Sequence, residues 1–169
     1  MISKRCNGYT FIELTVVIFL IGLTLVLTVP RFRYEMLTDD LKATVRRMVG
    51  TIRSLRNDAI REQKIYVLCF DLGLNRYWRE SADMTDEGRA LEYEKALPLP
   101  GGVQILDVWS GEMGKKVDGK ATIQFTKKGY IEQSVIHLGA EDGRKFTLEL
   151  SPFMGKVKVF EKYVEFVGI

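Results

Sequence analysis

Lys4-Arg5-Cys6-Asn7-Gly8-Tyr9-Thr10-Phe11-Ile12-Glu13-Leu14 runs directly into an apolar stretch that ends at Val29. Two adjacent cations precede a glycine, and a hydrophobic segment follows with one acid near its start. From Leu14 to Val29 there are about 16 residues, or roughly 24 Å of helix, short of a hydrocarbon core of about 30 Å. Starting at Tyr9 gives about 21 residues and roughly 31 Å, enough to span. A crossing segment therefore draws Glu13 toward the membrane, where an acid is costly and asks for a functional reason. Lys4 and Arg5 hold the N-terminus in the cytoplasm and place the bulk of the chain outside.

Two plainer explanations compete. A cleaved secretory signal has a small-residue cleavage site after a shorter apolar core. Here the apolar part ends at Val29-Pro30-Arg31-Phe32-Arg33, with no small-x-small pattern. A plain signal anchor on an unrelated exported domain explains Glu13 locally. Thr10 and Glu13 have capping-box spacing, Tyr9 and Leu14 suit a hydrophobic staple, and a first-turn carboxylate suits the helix dipole. The combination of basic leader, Gly8 at the junction, Thr10-x-x-Glu13 and an apolar run is more specific than either.

In that combination the chain resembles the type IV pilin and pseudopilin superfamily. Over its whole length the layout is similar to the general secretion pathway protein H and FimT group of pseudopilins and minor pilins. The resemblance implies cleavage after Gly8 by a prepilin peptidase, methylation of the new amine on Tyr9, and retention of Glu13 in the membrane helix. Phenylalanine is usual in that family where this chain has Tyr9. In the head the resemblance rests on Phe125-Thr126-x-x-Gly129 and on Leu148-x-Leu150 followed by Gly155-Lys156-Val157, a pattern generic β-hairpins share.

The physical logic of such a site is charge pairing. An uncompensated charge inside a bilayer costs on the order of 2.5–3.5 kcal/mol on insertion scales. Cutting after Gly8 frees an amine on Tyr9, about 6 Å of helix rise from Glu13. In a stack of such helices one subunit's amine meets another's carboxylate, and slipping leaves both charges unpaired. Gly8 lets the backbone enter a protease in an extended form. Gly22 and Pro30 are expected to break or loosen the helix, since proline removes a backbone hydrogen bond.

A chain of 169 residues permits one domain plus an anchor. The net charge is +3, and removing Lys4 and Arg5 with a leader leaves a near-neutral chain. Charge gives no global reason to expect a nucleic-acid partner. Of two cysteines, Cys6 lies in the leader and Cys69 in an apolar run, so no internal disulfide survives cleavage.

Beyond Pro30, Leu37, Leu41, Val45, Met48, Ile52, Leu55 and Ala59 recur at steps of three and four, one stripe of an amphipathic helix. Arg46, Arg47, Arg53, Arg56 and Arg61 occupy other faces and read as solvated. Expected strands cover 65–71, 76–81, 103–109, 121–126, 131–138, 145–150, 156–160 and 163–167. Residues 82–102 read as a long loop. The fold expected is α+β: a long N-terminal helix packed on an antiparallel sheet or sandwich. The parts are a leader (1–8), a transmembrane and assembly helix (9–29), its amphipathic continuation (30–64) and a β-rich head (65–169).

The inventory for catalysis is thin. His137 is the only histidine and sits in a strand pattern. Cys69, between Leu68 and Phe70, reads as a buried thiol. A Cys69–His137 pair has no local motif behind it. Gly111-x-x-Gly114-Lys115-Lys116 lacks the spacing and hydroxyl of a phosphate loop. Asp83, Asp86 and Glu87 match no metal loop. No cofactor and no metal is expected.

The expectation is a non-enzymatic minor pseudopilin of type II secretion, anchored once in the inner membrane with its head in the periplasm. Its partners are a prepilin peptidase, other pseudopilins and an inner-membrane assembly platform. The rival readings are a minor pilin of a type IV pilus, acting in assembly, adhesion or DNA uptake, and a membrane-anchored periplasmic enzyme.

Overall fold

The computed structural model describes residues 11–152 and 155–165, with side chains described outside 25–39. Gly8 and Tyr9 lie outside the described residues. The chain divides into two units, residues 1–36 and residues 37–169. One helix, α1 (Phe11–Glu62), supplies the described part of the first unit and begins the second. It is continuous through Gly22 and Pro30, so neither residue ends it. It stops at Gln63, which adopts a left-handed backbone (φ 54°) and donates from its side chain to the Ile60 carbonyl at 2.8 Å.

In the second unit the stripe Leu41, Val45, Met48, Ile52, Leu55 and Ala59 is buried as its spacing requires. Burying one such aliphatic side chain is worth roughly 1.5–3 kcal/mol. The stripe faces a single core shared by two antiparallel sheets. The first sheet has the order β3-β2-β1-β6, formed by β1 (Tyr66–Asp71), β2 (Arg76–Ser81), β3 (Leu97–Pro98) and β6 (Lys120–Phe125). The second has the order β5-β4-β7-β8-β9, formed by β4 (Val103–Ser110), β5 (Gly114–Lys116), β7 (Ser134–Ala140), β8 (Lys145–Leu150) and β9 (Val157–Phe160). Leu68, Phe70, Tyr77, Ile123 and Phe125 enter the core from the first sheet, and Ile105, Val108, Ile136, Leu138, Leu148 and Leu150 from the second. The α+β class expected from the sequence, a long helix packed on antiparallel strands, is the class observed.

Three further expectations need correction. Residues 82–102 are not one loop: α2 (Asp86–Glu94) and β3 lie within them. Thr85 caps α2, accepting from the Gly88 amide, and Asp86 and Glu87 occupy its first turn. No residue of α2 is buried, so the apolar periodicity that marks a helix is weak there. Next, residues 163–165 are not in a strand; they lie against the outer face of the second sheet, while 166–167 are outside the described residues. Finally, Arg56 is not a solvated cation. Its Nε donates to the Gly129 carbonyl at 2.9 Å, and its guanidinium fills the space a side chain at Gly155 would need.

Candidate functional site

The side chains of α1 from Phe11 to Thr24 are exposed, including Phe11, Ile12, Leu14, Val16, Val17, Ile18, Phe19, Leu20, Ile21 and Leu23. A contiguous exposed apolar surface of this size marks a membrane or protein contact. The polar groups within it are handled internally. The Thr15 hydroxyl donates to the Phe11 carbonyl at 2.9 Å, and Thr24 donates to the Leu20 and Ile21 carbonyls. That is the arrangement a helix needs where water is absent. Glu13 lies in the first turn of α1. Among the described residues, no helix is long and apolar enough to cross a membrane. The span expected from the sequence takes in Tyr9 and the side chains of residues 25–29, which are outside the described ones.

The catalytic alternative turns on His137. A β-bulge in β4 interrupts the register between Ile105 and Asp107, and Asp107 then faces His137 across the β4–β7 pair. His137 Nδ1 and Asp107 Oδ1 are 2.6 Å apart, both side chains almost fully buried. The other ring nitrogen, Nε2, lies 2.9 Å from the Val164 carbonyl oxygen. Tyr163 stacks on the imidazole, with ring centroids 4.0 Å apart, and donates its hydroxyl to Asp107 Oδ2 at 2.9 Å. Both imidazole nitrogens are thus committed to structural partners, and none is left to deprotonate a nucleophile.

Cys69 belongs to the other sheet. It faces away from the core into a groove lined by Trp78, Glu80, Arg89, Tyr93, Lys120 and Thr122. Burial, and then the nearby Glu80, push its thiol up to about 12, so it is not a thiolate nucleophile. Cys69 and His137 therefore occupy the outer faces of opposite sheets, and the structure does not bring them together.

The remaining candidates have local roles. Asp83 pairs with Lys64 at 2.8 Å and accepts from Ser81, which holds it near 2. Asp86 and Glu87 serve the N-terminus of α2. Among the described residues, no group of three or more His, Cys, Asp or Glu could hold a metal ion. Gly114 to Lys116 form β5, and Lys115 donates to the Tyr163 hydroxyl at 2.7 Å. Trp78 is buried, donates to Glu80 Oε1 at 2.7 Å and meets Tyr93 edge-on.

Sequence reasoning missed Arg56, Asp107 and Tyr163. Arg56 had a signal in Gly129 and Gly155, both left-handed (φ 79° and 56°), which together make its seat. Asp107 and Tyr163 had none, because a bulge and a long-range crossing bring them to His137.

No protein-family model matches the sequence, and no curated protein matches it. Among solved structures, the chain is similar to the minor pseudopilin EpsH from the Type 2 Secretion System of Vibrio cholerae. The TM-score is 0.57 at 11% identity, over 75% of this chain and 99% of that one. A crystal structure of EpsH from the type II secretion system of Vibrio cholerae gives 0.54 at 11% identity, over 75% and 97%. At that identity the likeness is one of fold.

Proposed function

We propose that the chain is a minor pseudopilin, a non-catalytic structural subunit of a type II secretion pseudopilus. The observation that carries the reading is a helix whose apolar side chains from Phe11 to Leu23 are exposed and whose first turn holds Glu13, in a chain whose head has the fold of a pseudopilin. A prepilin peptidase cuts between Gly8 and Tyr9, and Tyr9 is methylated on its new amine. The segment 9–29 holds the subunit in the inner membrane with its N-terminus cytoplasmic and its head periplasmic. An inner-membrane assembly platform then moves it into the fibre beside other pseudopilins. Pairing of Glu13 with the amine of a neighbouring protomer fixes the axial stagger, because a slipped helix separates the carboxylate from that amine in an apolar surround. Gly22 and Pro30 are where the helix loosens during extraction from the bilayer.

The test is Glu13→Ala in cells carrying the secretion system. The variant is expected to be processed at Gly8 and to fail to join the fibre. Incorporation at the wild-type level contradicts the pairing.

A minor pilin of a type IV pilus shares the same N-terminal physics. The exposed Arg46, Arg47 and Arg53 on α1 are the observation that favours a DNA-binding version. Titration with duplex DNA at two salt concentrations separates the readings, since phosphate contacts weaken steeply with salt.

A further inference from the structure

The segment 161–165 is strapped across the outer face of the second sheet by one row of side chains. Register places Asp107 of β4, His137 of β7 and Thr147 of β8 side by side. The Thr147 hydroxyl donates to the Lys162 carbonyl at 2.8 Å and accepts from the Val164 amide at 3.0 Å. His137 is held between Asp107 on one side and the Val164 carbonyl on the other, with Tyr163 stacked over it.

Both partners of the imidazole are acceptors. A carboxylate oxygen faces Nδ1 and a carbonyl oxygen faces Nε2. Only an imidazolium has a proton for each; a neutral ring aims a lone pair at one of the oxygens. We propose that the strap is a proton-operated latch: protonated His137 fastens residues 161–165 to the sheet, and loss of that proton releases them. Docking and protonation then favour each other by linkage, so the strap is closed on the acid side of the His137 transition and open on the alkaline side.

The other charged groups around the ring keep the response with His137. Asp107 is held below the usual carboxylate range: burial acts upward, but the bond to His137, its charge, the Tyr163 hydroxyl and Lys115 outweigh it. Lys115 on β5 and Lys145 on β8 lie 5.4 and 5.5 Å from the Tyr163 ring centre. Glu165 on the strap faces Lys115, and Glu149 on β8 is paired with Lys158. Opening uncovers the buried row Asp107–His137–Thr147.

His137 is the only histidine, so its ring signals in the full chain, solubilised in detergent and labelled with 15N-histidine, need no assignment. The Val164 amide reports the strap directly. On raising the pH, its protection from hydrogen exchange, corrected for the intrinsic rise in rate, is expected to fall about tenfold. The fall should share the midpoint of the His137 titration, while the Leu148 amide of β8 holds its protection. In His137→Gln the protection of Val164 should lose its pH dependence. Protection that persists once the wild-type ring is neutral, or that changes at a different midpoint, overturns the latch. So does an unaltered pH dependence in the variant.

Discussion

Arg56 occupies the volume that a side chain at Gly155 would require, and its Nε simultaneously donates to the Gly129 carbonyl. One arginine of α1 thereby fastens two turns of the head, one after β6 and one before β9. Both glycines are left-handed, so neither turn accommodates another residue without strain.

Gly155→Ala is therefore expected to destabilise the head by roughly 1–3 kcal/mol, from the backbone alone. The displaced guanidinium adds to that. Urea unfolding of the purified protein reads the shift in midpoint. An unchanged midpoint removes the clamp from the account.

Tyr93 makes the aromatic contact of α2 with the first sheet, beside the Arg89–Glu80 ion pair. It packs edge-on to Trp78, lies under the Arg76 guanidinium at 3.9 Å and donates to Asp71 at 3.1 Å. Tyr93→Ala should strip hydrogen-exchange protection from the α2 amides and leave that of β7 and β8 intact. No α2 residue is buried, so the global unfolding midpoint should move little.

Cys69 should be inert in the folded protein. Its thiol is raised to about 12 by burial, so at pH 8 almost none is thiolate. Iodoacetamide should leave the Cys69 peptide unmodified in native buffer and modify it in urea. Rapid native labelling contradicts the placement of Cys69 under α2.

Asp107 carries an acid-side stability term. Its carboxyl is held low in the folded state while the strap is closed, so that contribution is present above the ordinary aspartate value of about 3.9 and is lost as pH falls through the folded value. Asp107→Asn should be less stable than wild type at neutral pH, and the gap should narrow below about pH 4. Urea midpoints measured across that range check the sign.

The sequence was most readable where one period ruled. The α1 stripe from Leu41 to Ala59 stands where its spacing puts it, and the strands β2 and β8 have the bounds expected of them. α2 was hidden because it buries nothing, so its only signals were Thr85 and the two acids after it. Residues 163–165 include a tyrosine and a valine, as strands do, but lie on a sheet face, held by Thr147 and His137 rather than by an edge. The pairing of Asp107 with His137 depends on a bulge: with regular register Leu106 would stand opposite the imidazole and Asp107 would point into the core. No local pattern announces such a slip.

At the N-terminus the reading rests on chemistry, an acid in the first turn of an exposed apolar helix that follows Lys4, Arg5 and Gly8 in the sequence. Intact-mass and N-terminal peptide spectrometry of the protein purified from cells with an active prepilin peptidase tests that reading most directly. The account predicts a chain that begins at Tyr9 and carries one methyl group on its amine. A chain that still begins at Met1 or Ile2 contradicts it.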